Sequence, residues 1–302
     1  MKLTITIGIA GYNAERNITP MLNALVIQEQ QGFVIENIIV YSDASRDNTV
    51  VYAQEVKDRR IQIIEGKNRL GFAGVVKRFT RNNTSNILIL LNDDIKIIDK
   101  TFIKKLIQLF RVDSMIGLIS GNPQPIPSSN FLENAVTSGF RIYENIRYEM
   151  NGGNNILTCD GKVLAISKEF IQSLSFPKNL AHVGNVDSFL YAMCLKKGYK
   201  YRHATKAIVY FKCPSTVKDY LTWMTRNNAD YIILKKTFGS MIEKEFHIPF
   251  SLKFIYSLKE LTKNPLGVLF LSISNIYIRL HAKDIAKNFN TRWDLISTSK
   301  NL

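Results

Sequence analysis

An unbroken apolar run from Ile87 to Leu91 ends directly at three polar residues, Asn92, Asp93 and Asp94. A strand that is buried on both faces has a continuous hydrophobic sequence, and such strands occur mostly in parallel sheets with helices on both faces. Because the hydrophobic run stops at Asn92, we expect the strand to end there, with its carboxylates at the edge of the sheet. This stretch therefore favours an α/β fold with a polar crevice at one edge.

The chain before this strand alternates between strand and helix patterns. Strands are predicted over residues 3–9, 38–41, 61–64 and 87–91, and helices over 17–28 and 49–56, with a further helix leading into the last strand. Alternation at this spacing predicts parallel crossover connections and a sheet that is covered on both faces. The later stretch NPQPIPSSN, residues 122–130, is rich in proline and is predicted to be a loop.

Polar clusters follow three of the predicted strands. GYNAE follows the first strand, SDASRDNT the second and NDD the fourth. Since ligands of open α/β sheets bind at the carboxyl ends of the strands, we expect these clusters to meet in one crevice. The sequence thus predicts a ligand site built from loops that are distant along the chain.

Length and cysteine content limit the class of protein. The 302 residues, 46% of them hydrophobic, are enough for one large α/β core or for a core with a smaller appended region. Cys159, Cys194 and Cys213 match no zinc motif in their spacing, and we expect them to be reduced and packed. The N-terminus enters a strand directly and lacks the apolar segment of a signal peptide. These features together predict a cytosolic globular protein.

Positive charge is concentrated in the C-terminal third. Residues 1–195 contain 21 Lys and Arg against 18 Asp and Glu, whereas residues 196–302 contain 19 against 7. An anionic membrane, a nucleic acid or simply a solvated lysine-rich surface would account for this. The sequence lacks nucleic-acid-binding motifs, and lysines interleave with apolar residues between 246 and 263, as in a helix lying on a bilayer or a core-facing helix. The apolar stretch 266–280 is short for a transmembrane helix, which needs about 20 residues.

Six stretches follow one another along the chain: IAGYNAERNI, IIVYSDASRDNTV, NRLGFAGVVKR, ILLNDD, VDSFLYAMCLKKGYKY and YFKCPSTVKDYLTWMTRNN. In this order they resemble the motifs of the family 2 glycosyltransferases of GT-A fold, over about residues 3–232. The resemblance implies an α/β GT-A fold with a mostly parallel central sheet and a helical C-terminal extension. It divides the chain into a catalytic domain at 1–232, with a nucleotide-binding half at 1–98 and an acceptor half at 99–232, and a basic amphipathic helical region at 233–302. The tail TRWDLISTSKNL resembles an ending of some bacterial and archaeal members.

The resemblance implies that a nucleotide binds at the first three polar loops. Asp43 would accept a hydrogen bond from a base N–H group, although an Asp in SDAS is also a good turn former. Tyr12 would stack on the base, and backbone N–H groups beside it would face phosphate. Of Arg69, Lys77 and Arg78 around the LGFAG loop, at least one would bind the diphosphate, and a solvated helix face is the competing interpretation. The residues assigned to the nucleotide are Gly11, Tyr12, Asn13, Asp43, Arg69, Lys77, Asn92 and Asp93.

The NDD cluster resembles the metal-binding sequence of the family, with Asn92 in the first place. A Mn²⁺ or Mg²⁺ ion beside a diphosphate prefers hard oxygen ligands, so we expect Asp94 to bind the ion and Asp93 to lie nearer the ribose or sugar. Relatives often supply a further His ligand after a later strand, where this chain has Phe211 and Lys212. Lys212 is expected to face the phosphates instead, which would lower the need for a tightly held ion.

The resemblance also assigns the catalytic residues. Asp187 matches the Asp of the family's Glu-Asp pair, with Val186 in place of the Glu, and would take the proton from the acceptor hydroxyl as general base. An Asp at the start of a helix is also a good N-cap. Trp223 and Arg226 share one helix face. Arg226 would lie near the diphosphate or the acceptor, while Trp223 suits an ordinary core position equally well.

The sequence therefore predicts an inverting glycosyltransferase that uses a nucleotide sugar, with a UDP-sugar favoured by family frequency, and Mn²⁺ or Mg²⁺. The acceptor would be a hydroxyl of a cell-surface polysaccharide or lipid-linked glycan. We expect the protein to be cytoplasmic and peripheral at the inner face of the cell membrane, with no nucleic acid as partner. Two alternatives stay open: a sugar nucleotidyltransferase, whose Gly-rich N-terminal phosphate loop is missing, and a non-catalytic basic membrane- or nucleic-acid-binding protein.

Overall fold

The structure, a computed structural model, describes residues 2–287 and 297–300. Its strands are β1 (Leu3–Gly11), β2 (Phe33–Ser42), β3 (Ile61–Glu65), β4 (Ile87–Asn92), β5 (Ile116–Pro125), β6 (Val163–Ser167) and β7 (Lys200–Phe211). Its α-helices are α1 (Ile18–Val26), α2 (Thr49–Glu55), α3 (Gly71–Asn82), α4 (Phe102–Ile107), α5 (Phe131–Glu149), α6 (Lys168–Ser173), α7 (Val186–Lys196), α8 (Val217–Phe238), α9 (Ser240–Glu245), α10 (Phe250–Leu261) and α11 (Pro265–Lys287). Short 3-10 helices lie at Gln108–Arg111, Met150–Gly153, Ile156–Thr158, Leu180–Val183 and Ser297–Lys300.

Within the described residues, the strands form a seven-stranded sheet in the order β3-β2-β1-β4-β6-β5-β7. Strand β6 runs antiparallel to both of its neighbours, β4 and β5, while the other pairs are parallel. The carboxyl ends of β1, β2 and β4 therefore lie at one edge of the sheet, and the beginning of β6 lies there too. The predicted mostly parallel sheet is confirmed.

The central strand β4 is buried on both faces, as its apolar sequence predicted. Ile87, Ile89 and Leu91 pack on one side of the sheet, in a cluster that includes residues of α1 and α4. Leu88 and Leu90 pack on the other side, in a cluster that includes residues of α3 and α7. Each such side chain contributes about 1.5–3 kcal/mol by leaving water. This burial fixes where β4 ends, and hence where Asn92, Asp93 and Asp94 stand.

The structure differs from the predicted elements most clearly at β2 and β5. Strand β2 begins at Phe33 rather than at residue 38, because its first residues alternate between buried and exposed and so lack a continuous apolar run. The prediction of a loop over 122–130 is wrong for residues 122–125, which pair with residues 208–211 of β7. Pro123 and Pro125 lack a backbone N–H group. They are tolerated because β6 pairs only with residues 118–120 of β5, so no hydrogen bond between β5 and β6 is lost at the two prolines.

The C-terminal helices pack against the part of the chain that precedes them. Helix α8 crosses the predicted boundary at 232/233 without a break. Leu271 and Ile278 of α11 pack with residues of α5 and α8, and Arg141 of α5 donates from Nε to Glu260 of α10 at 2.9 Å. Across residues 2–287 and 297–300, none of the helices has the length and apolarity needed to span a bilayer. Residues 291–296 and 301–302 of the tail TRWDLISTSKNL lie outside the described residues.

The three cysteines are free and buried, as predicted. Burial raises the pKa of Cys194 to about 12 and that of Cys213 to about 11. Because the thiolate is the reactive form, these thiols are unreactive packing groups.

Candidate active site

A cavity of about 180 Å³ lies at the edge of the sheet where β1, β2 and β4 end. Most of the predicted site residues line it: Gly11, Tyr12, Asp43, Arg69, Asn92, Asp93, Asp94 and Arg226. Lys212, expected to face the phosphates, also lines it, together with Phe211 and Trp223. Asn13, Lys77 and Asp187 are not among its lining residues. Polar strand ends that are far apart in sequence thus meet in one place, as parallel topology requires.

The loop after β1 is held by its neighbours through backbone groups. The Tyr12 N–H donates to Asp93 Oδ2 at 2.8 Å, which joins the ends of β1 and β4. Asn13 has a left-handed backbone with φ of 51°, a conformation that asparagine tolerates better than most residues. Its side-chain oxygen accepts from the Arg46 N–H at 2.9 Å, and its own N–H donates to Ser45 Oγ at 3.1 Å. Asn13 therefore connects the first two loops, beside the cavity rather than in its wall.

Asp43 and Tyr12 are both engaged by Arg69. The Asp43 carboxylate accepts from the backbone N–H groups of Leu70 at 2.6 Å and Gly71 at 2.9 Å, and from Arg69 Nε at 3.2 Å. The Arg69 guanidinium carbon lies 3.3 Å from the centroid of the Tyr12 ring, a close cation–π contact. A base that stacked on Tyr12 and bonded Asp43 would have to take the place of this guanidinium group.

Lys77 points away from this part of the site. Phe72 and Val75 of the same helix, α3, line the cavity, and Lys77 does not. Residues two positions apart on an α-helix do not share a face, so the helix that brings Val75 to the cavity turns Lys77 elsewhere.

The two carboxylates after β4 have different surroundings. Asp93 is buried and accepts from the Tyr12 N–H and from Lys300 Nζ, whose distances to Oδ2 and Oδ1 are 2.6 and 2.8 Å. The Oδ1 atom of Asp94 is buried and has no hydrogen-bond partner within the described part of the chain. Burial raises the pKa of Asp94, with the Lys162 ammonium group acting in the opposite direction. Asp93 therefore holds the loop after β1 in place, and Asp94 has an oxygen to which no described residue donates.

Lys162 lines the cavity, and the sequence analysis missed it. Its Nζ lies 3.7 Å from Asp160 Oδ1 and 4.5 Å from the centroid of the Phe211 ring. Burial lowers the pKa of Lys162, but the carboxylates of Asp160, Asp94 and Asp187 together outweigh it and raise the pKa. The sequence feature that could have indicated Lys162 is the stretch DGK, residues 160–162, which stands directly before the apolar run of β6. Because β6 is antiparallel, its beginning lies at the end of β4, where the Asn92 N–H donates to the Lys162 carbonyl at 3.2 Å.

The Asp187 carboxylate contacts the backbone of Gly161, close to the cavity-lining residue Phe72. Its Oδ2 accepts from the Gly161 N–H and its Oδ1 from the Ser188 N–H, both at 2.8 Å. Burial raises the pKa of Asp187 to about 6, with the charge of Asp160 as the second cause. The N-cap interpretation is wrong, because α7 begins at Val186 and its N-cap is Asn185. Asp187 is thus a partly buried carboxyl group whose protonation changes near neutral pH.

Arg226 extends from α8 into the same region. Burial lowers the pKa of Arg226 to about 10, against the opposing charges of Asp187 and Asp94. Trp223, one turn earlier, lines the cavity and also stacks on Phe140 of α5 with ring centroids 5.8 Å apart. The predicted shared helix face is therefore present, and it brings a guanidinium group and an indole to the cavity.

The chain was compared with known proteins. The model of the family described as Glycosyl transferase family 2 matches residues 6–174, more than half of the chain. In fold the chain is similar to the mannosyltransferase PcManGT from Pyrobaculum calidifontis in complex with GDP-Man and Mn²⁺. The TM-score is 0.60 and the identity 16%, over 95% of this chain and 79% of that one. It is also similar to glucosyl-3-phosphoglycerate synthase from Mycobacterium tuberculosis in complex with Mn²⁺, UDP and phosphoglyceric acid, with a TM-score of 0.54 and 15% identity over 78% of this chain and 79% of that one. A search of curated proteins finds no significant match.

Proposed function

Because the chain belongs to glycosyl transferase family 2 and is a glycosyltransferase, we propose that it transfers a sugar with inversion from a nucleotide-diphosphate donor to a hydroxyl acceptor. The observation that carries this proposal is the cavity at the carboxyl edge of the sheet. Five basic side chains line it, those of Arg69, Lys162, Lys212, Arg226 and Lys300, against the carboxylates of Asp43, Asp93 and Asp94. The excess of positive charge suits a diphosphate. A UDP-sugar is the favoured donor by family frequency.

A divalent cation, Mn²⁺ or Mg²⁺, fits the site through Asp94. Its buried Oδ1 lacks a donor among the described residues, as expected for an oxygen that binds a cation. The described residues contain no group of three His, Cys, Asp or Glu side chains that could hold an ion, so oxygen atoms of the donor and water would complete its coordination. When bound, such an ion supplies positive charge that stabilises the departing nucleotide. Two of the proteins with a similar fold were solved with Mn²⁺ and a nucleotide.

Asp187 is the proposed general base. With a pKa of about 6 it is mostly deprotonated at neutral pH, yet still basic enough to accept a proton. A Cβ built on Gly161 would lie 3.3 Å from Asp187 Oδ2 and 3.6 Å from the ring of the cavity-lining Phe72. The Asp187 carboxylate therefore lies close to the wall of the cavity that Phe72 forms. Arg226 would bind the diphosphate or the acceptor from the same side.

The test is a screen of UDP- and GDP-sugars for release of the nucleoside diphosphate, with and without Mn²⁺. We expect turnover that is lost in Asp94→Asn and Asp187→Asn and kept in Asp113→Asn, a carboxylate paired with Lys200 away from the cavity. Release of pyrophosphate from a nucleoside triphosphate and a sugar phosphate would favour a nucleotidyltransferase instead. Absence of both nucleotide binding and turnover would favour a non-catalytic module.

Helices α10 and α11 expose a concentration of large apolar side chains: Phe250, Phe254, Ile255, Leu258, Leu261, Leu266, Leu269, Ile273, Ile276, Tyr277 and Leu280. Exposed apolar surface of this extent marks an interaction site. Exposed basic residues lie on the same two helices and the turn between them: Lys259, Lys263, Arg279, Lys283 and Lys287. Apolar and basic groups together suit an anionic lipid surface. We propose that this surface holds the protein at the inner face of the cell membrane, close to a lipid-linked or growing surface glycan as acceptor.

Flotation with lipid vesicles tests the membrane contact. The protein should bind vesicles that contain phosphatidylglycerol and bind pure phosphatidylcholine less, because the basic residues are attracted to anionic lipid. Phe254→Glu should reduce binding, while Val112→Glu, at an exposed apolar position elsewhere, should not. A dimer in solution that Phe254→Glu dissociates, with vesicle binding absent in the wild type, would assign the surface to a second copy.

A further inference from the structure

Lys300 reaches the cavity from the far end of the chain. It belongs to the 3-10 helix Ser297–Lys300, and its side chain is 18% exposed. The ammonium nitrogen lies 2.6 and 2.8 Å from the two carboxylate oxygens of Asp93 and 2.6 Å from the Tyr12 carbonyl oxygen. Lys300 also lines the cavity, so a ligand there would contact it. A lysine more than 200 positions away in sequence thus places a cation beside the NDD turn.

The segment that carries Lys300 is held by hydrogen bonds on both sides. The N–H and Oγ1 groups of Thr298 donate to Asp219 Oδ2, at 3.2 and 2.7 Å, and Thr298 Oγ1 accepts from the Ser215 N–H at 3.1 Å. Asn17 Nδ2 donates to the Lys300 carbonyl oxygen at 2.8 Å. These contacts join the segment to the beginning of α8 and to the loop after β1. The lysine is therefore positioned by its backbone and not only by its charge.

Lys300 and Lys162 both act on the carboxylates after β4. Both side chains line the cavity together with Asp93 and Asp94. Lys162 enters with β6, on the opposite side from the loop that Lys300 contacts. A diphosphate bound beside Asp93 and Asp94 would meet two carboxylates, and without nearby cations their repulsion would weaken binding.

We propose that Lys300 binds the diphosphate of the donor, and that the segment Ser297–Lys300 is therefore part of the donor site. The inference rests on the proposed function, since it takes a nucleoside diphosphate as the ligand. It follows that the protein itself neutralises part of the negative charge of the diphosphate. Some affinity for a nucleoside diphosphate should thus remain after the divalent cation is removed, and it should depend on Lys300.

The experiment is a calorimetric titration of the full chain with UDP and GDP, with Mn²⁺ and with EDTA. Lys300→Met keeps most of the side-chain length and removes the charge. For the nucleotide that the wild type binds, we expect its Kd to rise about tenfold or more in both conditions, the loss of one charge-assisted hydrogen bond. Lys300→Arg should stay within about threefold of the wild type, because the charge remains. Lys197→Met, at an exposed position directly after α7, is the matched control and should leave the Kd unchanged.

Two further measurements separate direct binding from other roles. If Lys300 only stabilised the loop after β1, Lys300→Met would weaken binding of the free nucleoside, measured by ligand-observed NMR, as much as that of the diphosphate. If Lys300 only masked the Asp93 charge, Asp93→Asn combined with Lys300→Met would recover wild-type affinity. Either result, or an unchanged Kd in Lys300→Met, would overturn the inference while leaving the proposed function intact. A wild type that binds neither nucleotide would overturn both.

Discussion

Replacing Asp187 by asparagine should remove activity and at the same time stabilise the fold. The pKa of Asp187 is raised from 3.8 to about 6 by burial and by the charge of Asp160. This rise in the pKa of Asp187 means that its ionised form costs the folded state about 3 kcal/mol. Asparagine carries no charge, but its amide can accept only one of the two N–H groups, from Gly161 and Ser188, that the carboxylate accepts. That loss costs about 1 kcal/mol, so we expect a net gain of about 2 kcal/mol at pH 7.5.

The gain should depend on pH in a defined direction. Below 3.8 the carboxyl group is protonated in both the folded and the unfolded chain, and the substitution removes no charge. Between about pH 4 and pH 6 the unfolded chain loses its proton first, so the wild type loses stability relative to Asp187→Asn. Above pH 6 the difference should be constant. Activity, in contrast, should fall about 10²–10⁴-fold above pH 6, where Asp187 of the wild type is deprotonated, which is the usual contribution of a general base.

Urea denaturation at pH 4.5 and pH 7.5 measures the stability difference, and release of the nucleoside diphosphate measures activity. Calorimetric titration with the nucleoside diphosphate should give a Kd close to that of the wild type, because Asp187 does not line the donor cavity. Asp113→Asn serves as the control for loss of a carboxylate elsewhere. If Asp187→Asn were less stable than the wild type at pH 7.5, the argument from the buried charge would be wrong. If it kept its activity, the assignment of the base would be wrong.

Three further outcomes follow from the same geometry. Asp160→Asn should lower the pKa of Asp187, because the charge of Asp160 is the second cause of its rise, so the rate should reach its plateau at a lower pH; an unmoved pH profile would contradict this. Asp94→Asn should abolish the effect of Mn²⁺ on nucleotide affinity in calorimetry while leaving affinity in EDTA nearly unchanged, and an unaltered Mn²⁺ effect would exclude Asp94 as the ligand. Leu90→Ala should cost about 2–5 kcal/mol in urea denaturation because Leu90 is 1% exposed in β4, whereas a cost under about 1 kcal/mol would mean that the core closes around the gap.

Much of the cavity could be predicted because the rule that located it is local. A parallel strand that ends in polar residues places them at the ligand edge of the sheet, whatever the rest of the chain does. Gly11, Tyr12, Asp43 and the NDD turn follow that rule, and all of them line the cavity. Lys77 was assigned from the resemblance around the LGFAG loop instead, and it does not line the cavity, because a motif does not tell which way a helix turns its residues.

Lys162 was missed because the rule considers only residues that follow a strand, as is appropriate for parallel strands. Asp160, Gly161 and Lys162 stand before an apolar run rather than after one, and only the antiparallel direction of β6 brings them to the end of β4. Lys300 has no pattern of its own, since its position comes from contacts of the C-terminal segment with Asp219, Asn17 and Asp93. Both lysines therefore depend on long-range packing.

The sequence by itself determined the family, the α/β class and the polar ends of β1, β2 and β4. The class and the strand ends could be predicted because hydrophobic runs and turn residues act over a few neighbouring positions, and the family because its motifs occur in the same order. Only the tertiary structure decided the surroundings of each charge. Arg69 contacts both Asp43 and Tyr12, and Lys300 forms an ion pair with Asp93. The partly buried Asp187 carboxylate lies close enough to Asp160 for the charge of Asp160 to raise its pKa. Burial and charge pairing depend on which distant segments meet. They set the pKa of Asp187, and they leave an oxygen of Asp94 without a partner among the described residues.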